Sequence, residues 1–268
     1  NLIQLLDSTT LKKADLLTKM MSDDFYYNYL GKAALSSSIV KKLLKSPKSY
    51  YYTMKYGNPM TSALRMGRLL HQSILEPHLF EKYTFVECKS RTAKVFRDTI
   101  KENEGKEHTI FTAKEKSETE RLQDALLKNE SALKLMGDSE FEVPAIDMIE
   151  GIPFRGKADI IGENKMVDIK TTSSIDNFVN KRSQFSAYAF DYDIQVYIYC
   201  ELFGRPYHQF SFLVIDKQTL DIGIFGVSEE FYLSGMQKTF QAIERYKQFF
   251  NNDNEIDLDS YTINGILW

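Results

Sequence analysis

The sequence of 268 residues has little cysteine and no long apolar run. Cys88 and Cys200 lie far apart and form no CxxC pair, which excludes a four-cysteine zinc or iron–sulfur site within one chain and fits a reducing compartment. No apolar run reaches membrane-spanning length, and the first residues lack a signal-peptide core. We therefore expect a cytoplasmic protein. The sequence begins with Asn1 rather than Met, so whether residues precede it stays open.

An excess of basic residues is also absent. Lys and Arg number 34 against 37 Asp and Glu, so the formal net charge is −3. A nucleic-acid partner would have to be held by local Lys and Arg clusters or through metal ions. The sequence also shows no internal repeat, low-complexity tract or linker. It predicts one domain.

Helical patterns dominate the first half of the chain, and strand patterns begin near Ser139. Serine caps open "SSSIVKKLLKS", and Pro47 ends or restarts that helix. The segment "ALRMGRLLHQSILEP" predicts a strong helix that Pro77 stops. We therefore predict a mostly helical layer over residues 1–138, an α/β core over residues 139–250 and a weakly patterned tail over residues 251–268.

The predicted core has three strands, a helix, two strands and a final helix. The strands are "EFEVPAIDMIE", "IPFRGKADIIG", "KMVDIKTT", "YHQFSFLVID" and "LDIGIFGV"; the helices are "SAYAFDYDIQVYIYCELFG" and "EEFYLSGMQKTFQAIERYKQFF". This order predicts an α/β fold with a mixed central sheet flanked by helices, carrying an N-terminal helical layer.

Two carboxylates are predicted to face each other across one hairpin. If Glu163 and Asn164 form the tip of the "GENK" loop, antiparallel register places Asp159 opposite Asp168. The two charges repel, so a positive group is expected between them. Lys170, on the same strand face as Asp168, supplies one. A hard divalent cation such as Mg²⁺ would supply more, with the backbone carbonyl of Ile169 as a further ligand. The alternative, a structural Asp–Lys ion pair with the other Asp solvated, stays open.

The spacing of Asp159, Asp168 and Lys170 resembles the signature of the PD-(D/E)xK nuclease superfamily. Two helix motifs match its RecB-like branch: "GRLLH", with Gly67 and His71, and "QVYIY", with Gln195 and Tyr199. The chain is most similar to the phage and prophage RecE-type exonucleases (exonuclease VIII), over roughly residues 35–250. The resemblance implies a restriction-endonuclease-like core.

The resemblance assigns roles to the motif residues. It implies that His71 binds the metal beside Asp159, Asp168 and the Ile169 carbonyl, with Mn²⁺ substituting well for Mg²⁺. It implies Lys170 as the catalytic ammonium, acting with both acids, and Gln195 as a group that positions Lys170 or a phosphate. Without the resemblance, His71 is a core histidine and Gln195 a surface amide.

Other polar residues near the hairpin are candidates for phosphate contacts. They are Arg155, Thr171, Thr172, Arg182 and Tyr199, with Lys157, Lys181 and Ser173 nearby. Ordinary alternatives are helix capping by Ser173, Ser174 or Asp176, solvated basic faces and core packing of Tyr199. Glu142, near the start of the preceding strand, either reaches a second metal or is solvated.

Two departures from the family pattern qualify the resemblance. The second acid is Asp168 rather than Glu, and its shorter side chain shifts the expected metal position. The iron–sulfur cysteines of some RecB-like nucleases are absent, which favours the RecE type without a cluster.

The implied activity is digestion of linear double-stranded DNA from 5′ to 3′, leaving 3′ overhangs for recombination by single-strand annealing. The resemblance further implies a ring-shaped homo-oligomer, an annealing partner of RecT type, and the cytoplasm of a bacterial or phage-infected cell. The alternatives are an endonuclease of the same fold, a nuclease domain of a helicase or defence complex, and a non-catalytic DNA-binding module.

Overall fold

A computed structural model describes residues 10–250 and 257–265. Residues 251–256, the first part of the predicted tail, lie outside the described residues. The helices are α1 (Thr10–Lys19), α2 (Ser37–Lys45), α3 (Pro47–Tyr56), α4 (Ser62–Leu75), α5 (Pro77–Phe80), α6 (Lys94–Glu102), α7 (Ala113–Leu127), α8 (Glu130–Met136), α9 (Ile175–Val179), α10 (Tyr192–Phe203) and α11 (Glu229–Phe250). The strands are β1 (Thr84–Val86), β2 (Ile110–Thr112), β3 (Ser139–Ile149), β4 (Ile152–Gly162), β5 (Lys165–Thr172), β6 (Phe210–Asp216) and β7 (Ile222–Gly226). Within the described ranges, no helix is long and apolar enough to cross a membrane.

The main sheet has the mixed topology that the strand order predicts. Its strands run in the order β3-β4-β5-β6-β7. The β5–β6 pair is parallel, and the other three pairs are antiparallel. The parallel pair requires a crossover, which α9 and α10 supply. One face of the sheet packs on α10 and α11, and the other packs on α4, α7 and α8. This is the mixed α/β sheet with helices on both faces that the strand order predicts.

Local signals set several element boundaries in the helical half. The Ser46 side chain caps α3 by accepting the backbone N–H of Ser49, while Pro47 occupies the first turn. Thr112 and Glu115 form a reciprocal capping box at the start of α7. The sequence analysis missed β1 and β2, which form a separate parallel pair of three residues each. Strands this short carry too little alternation to be recognised.

The helix predicted from Ser186 is shorter than expected. It begins only at Tyr192, after Asp191 in a left-handed conformation (φ 52°). It ends at Phe203, and Gly204 follows, also in a left-handed conformation (φ 59°). Residues 186–191 form turns instead. Because α10 lies between the sheet and α11, its residues 193–200 are all buried. Its position fixes the direction of Gln195.

The sheet divides between β4 and β5. Hydrogen-bonded pairing covers Ile160–Gly162 with 165–167, in the predicted register and with Glu163 and Asn164 at the tip. Beyond Ile160, β4 continues with β3, while β5 continues with β6. Leu35 hydrogen-bonds to the part of β4 that β5 no longer pairs with. Its N–H donates to the Pro153 carbonyl (2.8 Å), and its carbonyl accepts from the Arg155 N–H (2.9 Å). The helical layer therefore completes the sheet rather than only covering it. We call the gap between β4 and β5 the fork.

Candidate metal centre and active site

Asp159 lies in the fork, just beyond the last β4–β5 pair. Its Oδ2 accepts the backbone N–H of Ile169 at 2.7 Å, a donor that β4 leaves free by diverging. The side chain is 10% exposed. The observed register still aligns Asp159 with Asp168, as predicted, but β4 and β5 are no longer paired at that point. The repulsion expected in a closely paired ladder is thereby reduced.

His71 reaches the fork from α4. Its Nε2 lies 2.8 Å from the carbonyl oxygen of Ile169, and its Nδ1 lies 3.4 Å from Asp159 Oδ2. Burial disfavours the imidazolium, but the charge and hydrogen bond of Asp159 outweigh burial and raise the pKa of His71 to about 9. Burial acts to raise the pKa of Asp159, yet His71 holds it below its usual value. The imidazole thus contacts the two groups, Asp159 and the Ile169 carbonyl, that were predicted to share a metal with it.

Asp168 and Lys170 form a buried ion pair on the α10 side of the fork. Lys170 Nζ lies 2.6 Å from Asp168 Oδ2, and the Asp168 side chain is 3% exposed. The Gln195 amide donates to Asp168 Oδ1. Burial raises the pKa of Asp168 despite Lys170, whereas the attraction of Asp168 overcomes burial and raises the pKa of Lys170. Gln195 thus contacts the Asp168 carboxylate, whereas the resemblance implied that it positions Lys170 or a phosphate.

Glu142 stands closer to this site than the sequence analysis recognised. It falls between the pairs Phe141–Ile160 and Val143–Ala158, so it faces Asp159 across β3 and β4. Ligating atoms of His71, Glu142 and Asp159 all lie within 4.8 Å of one another. Burial, and next the charge of Asp159, raise the pKa of Glu142 to about 8. The two-residue turn at Glu150 and Gly151 sets the β3–β4 register, and this turn could have been used to place Glu142 from the sequence.

The donor set fits a hard divalent cation. Two carboxylates, a backbone carbonyl and an imidazole are ligands that Mg²⁺ and Mn²⁺ accept. Asp168 is already engaged at both oxygens, since its Oδ2 is paired with Lys170 and its Oδ1 accepts from Gln195.

A second ammonium approaches the site from α2. Lys41 Nζ lies 4.9 Å from the Tyr192 ring centroid, and Lys170 Nζ lies 4.7 Å from the same centroid. Lys41 also donates to the Phe190 carbonyl at 2.5 Å. Burial, and then repulsion from Lys170, lower the pKa of Lys41 to about 8. Lys41 belongs to the predicted helix "SSSIVKKLLKS", whose pattern does not reveal its place beside Lys170.

Three residues predicted to contact phosphate have polar groups that are buried or engaged within the protein. Arg155 is 6% exposed and lies beneath Tyr26, its guanidinium carbon 4.4 Å from the ring centroid. The Tyr199 hydroxyl donates to the Lys157 carbonyl at 3.0 Å. The Thr172 hydroxyl closes the following turn by donating to the Ser174 carbonyl. These positions came from strand and helix spacing, which does not reveal the covering segment.

Other candidates lie apart from the central cluster. Thr171 lies on the opposite face of the sheet from Lys170, because successive strand residues alternate between faces. Arg182 is exposed in the turn after α9. Lys181 pairs with Glu230 at 2.6 Å. Ser173 is exposed, and the N-cap of α9 is Ser174, whose side chain accepts the N–H of Asn177. Lys157 contacts Asp23 at 3.2 Å and lies 4.0 Å from Glu142.

Comparison with solved structures supports the fold. A crystal structure of a "Putative exonuclease" from Eubacterium rectale superposes with a TM-score of 0.63 at 16% identity, over 92% of this chain and 95% of that one. A second, described as SSO0001, gives a TM-score of 0.34 at 21% identity over 68% of this chain and 85% of that one. No curated protein sequence matches the chain.

The family is shown by its sequence profile. The profile described as "PDDEXK-like domain of unknown function (DUF3799)" matches residues 36–257, which include His71, the fork and α10. Such domains generally use divalent metals, in agreement with the donors found here. Family and fold together support a nuclease, a hydrolase of phosphodiester bonds. The chain therefore belongs to the PDDEXK-like family.

Proposed function

We propose that the protein is a divalent-metal-dependent exonuclease that degrades linear double-stranded DNA from 5′ to 3′ and leaves 3′ overhangs. The observation that carries this proposal is the convergence of His71, Asp159, Asp168 and Lys170 in the fork. His71 lies 98 positions from Ile169 in the sequence, yet its imidazole contacts that carbonyl. A helix and two strands thus bring the His71–Asp159 pair and the Lys170–Asp168 pair to the two sides of the fork.

Each residue has a chemical task in phosphodiester hydrolysis. Asp159, the Ile169 carbonyl and His71 would hold the cation, and the Asp168 carboxylate would join them. Such a cation would lower the pKa of a bound water and polarise the phosphate. Lys170, held beside Asp168, would orient that water, and its charge would oppose the negative charge that develops on phosphate oxygens. Gln195 keeps the Asp168 carboxylate in place.

The preference for DNA ends rests on similarity. The RecE-type resemblance and the name of the Eubacterium rectale protein both favour an exonuclease. We extend the proposal to a ring-shaped homo-oligomer that works with a single-strand annealing protein of RecT type. A ring would let a chain with net charge −3 retain DNA, because positive charge need only line the channel.

Linear duplex DNA labelled at either the 5′ or the 3′ end tests the proposal, with Mg²⁺ or with chelator. We expect 5′ label to be released first, only with the cation, while the 3′-labelled strand persists. Closed circular DNA should resist digestion because it has no end. Cleavage of closed circles would point to an endonuclease, and DNA binding without any cleavage would point to a non-catalytic module.

A further inference from the structure

The Glu142 carboxylate is held close to two metal-ligand candidates but has few interactions of its own. Its side chain is 17% exposed. Among the described residues, no hydrogen bond reaches that carboxylate, and its ion-pair partner, Lys157, lies at the limit of 4.0 Å. A carboxylate that is mostly desolvated and poorly paired destabilises the folded chain unless another group compensates its charge.

The backbone at Glu142 is unusual for a strand interior. Its φ is 53°, in the left-handed region that non-glycine residues rarely occupy, while the pairs on both sides keep one register. No extra residue is inserted, so this is a local rotation and not a change of pairing. Such strain is maintained only where the surroundings determine the conformation strongly.

The geometry around Glu142 matches what one cation requires. Ligand atoms bound to a common Mg²⁺ or Mn²⁺ at about 2.1 Å lie no more than about 4.2 Å apart. The ligating atoms of His71, Glu142 and Asp159 fall within 4.8 Å of one another, so small movements would bring all three to one ion. The Ile169 carbonyl, 2.8 Å from His71 Nε2, supplies a further oxygen donor beside these three groups.

We infer that Glu142 is a ligand of the cation held by His71 and Asp159, supplied from β3 and lying outside the Asp–Asp–Lys motif. This inference rests on the proposed function for the presence of the cation. It adds a donor that the motif spacing does not include. The role also explains why a carboxylate occupies a strained, mostly buried position opposite Asp159, where its charge alone would be unfavourable.

Mn²⁺ binding to the full chain tests the inference by a readout separate from catalysis. Free Mn²⁺ is measured by its paramagnetic resonance signal for the unaltered protein, Glu142→Gln and Glu142→Asp. We expect Glu142→Gln to weaken Mn²⁺ binding at least about tenfold, and Glu142→Asp to weaken it less, because a carboxylate remains. Glu140→Gln is the matched control: it makes the same change on the same strand at an exposed position, and it should leave Mn²⁺ binding unchanged.

The outcomes separate this inference from the proposed function. If Glu142→Gln is folded by circular dichroism and binds Mn²⁺ within twofold of the unaltered protein, Glu142 is not a ligand, whether or not DNA is digested. The same holds if both Gln variants weaken binding equally. If Glu142→Gln alone weakens binding but the unaltered protein never digests linear DNA, the ligand assignment stands and the exonuclease proposal fails.

Discussion

Without a divalent cation, the protein should lose stability as pH rises from about 5 to about 8. His71 and Glu142 carry this effect, because both hold their protons more tightly when folded. The pKa of His71 rises from 6.5 to about 9, and that of Glu142 rises from 4.5 to about 8. Over this interval an unfolded chain releases the protons that the folded chain retains. The folded state therefore loses its advantage with increasing pH.

The magnitude follows from the two pKa differences. Each unit corresponds to about 1.4 kcal/mol, so the His71 contribution present below pH 6.5 falls by about 2 kcal/mol on reaching pH 8. Glu142 adds a loss of up to about 4 kcal/mol between pH 5 and pH 8, reduced by the solvent that reaches its partly exposed side chain. Several kcal/mol is a large share of the stability of an ordinary domain.

Urea denaturation in chelator, repeated at intervals across this pH range, measures the effect. Glu142→Gln should flatten the decline, whereas Glu140→Gln should retain it. The series should stop near pH 8, because the pKa of Lys41, lowered by burial to about 8, contributes with the opposite sign above that point. Saturating Mg²⁺ should restore stability most at pH 8, where fewer protons must be displaced. A flat or rising stability in chelator would refute the reasoning.

Three further predictions concern catalysis and packing. Lys170→Ala should abolish DNA cleavage but leave DNA binding largely intact, as measured by digestion and by fluorescence anisotropy; retained turnover would contradict its catalytic role. Gly235→Ala should destabilise the fold by about 3 kcal/mol or more in urea denaturation, because a Cβ there would lie 1.9 Å from the Asp193 carbonyl oxygen and force α10 and α11 apart. Gly67→Ala should instead raise stability by about 0.5–1 kcal/mol, since its Cβ would meet no atom within 4 Å and alanine favours helix; a loss would mean that glycine is needed there for packing.

The sequence predicted the core sheet well because its signals are local. The β4–β5 loop between Gly162 and Lys165 and the alternation of the two strands determined a register that the structure reproduces. The same method places Glu142 opposite Asp159, but only after the β3–β4 turn is used to align those strands as well. Identifying Glu142 required combining two hairpins, whereas the Asp–Asp–Lys motif lies within one.

The sequence predicted less where distant segments meet. Arg155 was expected to contact phosphate because it is basic and adjacent to the site. Its burial depends on Tyr26, in the helical turn Asp24–Tyr29, whose ring covers the guanidinium. Lys41 was one of several basic residues on a predicted helix, and its position near Tyr192 depends on how α2 packs. Residue type and periodicity do not reveal contacts between distant segments, so the positions of Arg155 and Lys41 became clear only in the tertiary structure.

The fork resolves the apparent conflict of two acids and a lysine among buried strands. Asp159 and Asp168 do not share one positive group: His71 faces the first, and Lys170 is paired with the second. Because the strands diverge beyond Ile160, each carboxylate has its own cationic neighbour and its own hydrogen-bond donor, Ile169 N–H and Gln195 respectively. The imidazolium is the exchangeable member, since losing its proton converts it from a counter-charge into a metal ligand. The attraction of Asp168 overcomes burial and raises the pKa of Lys170, so this ammonium keeps its proton. Under the proposed function its charge would face the phosphate, while the other half of the fork would hold the metal.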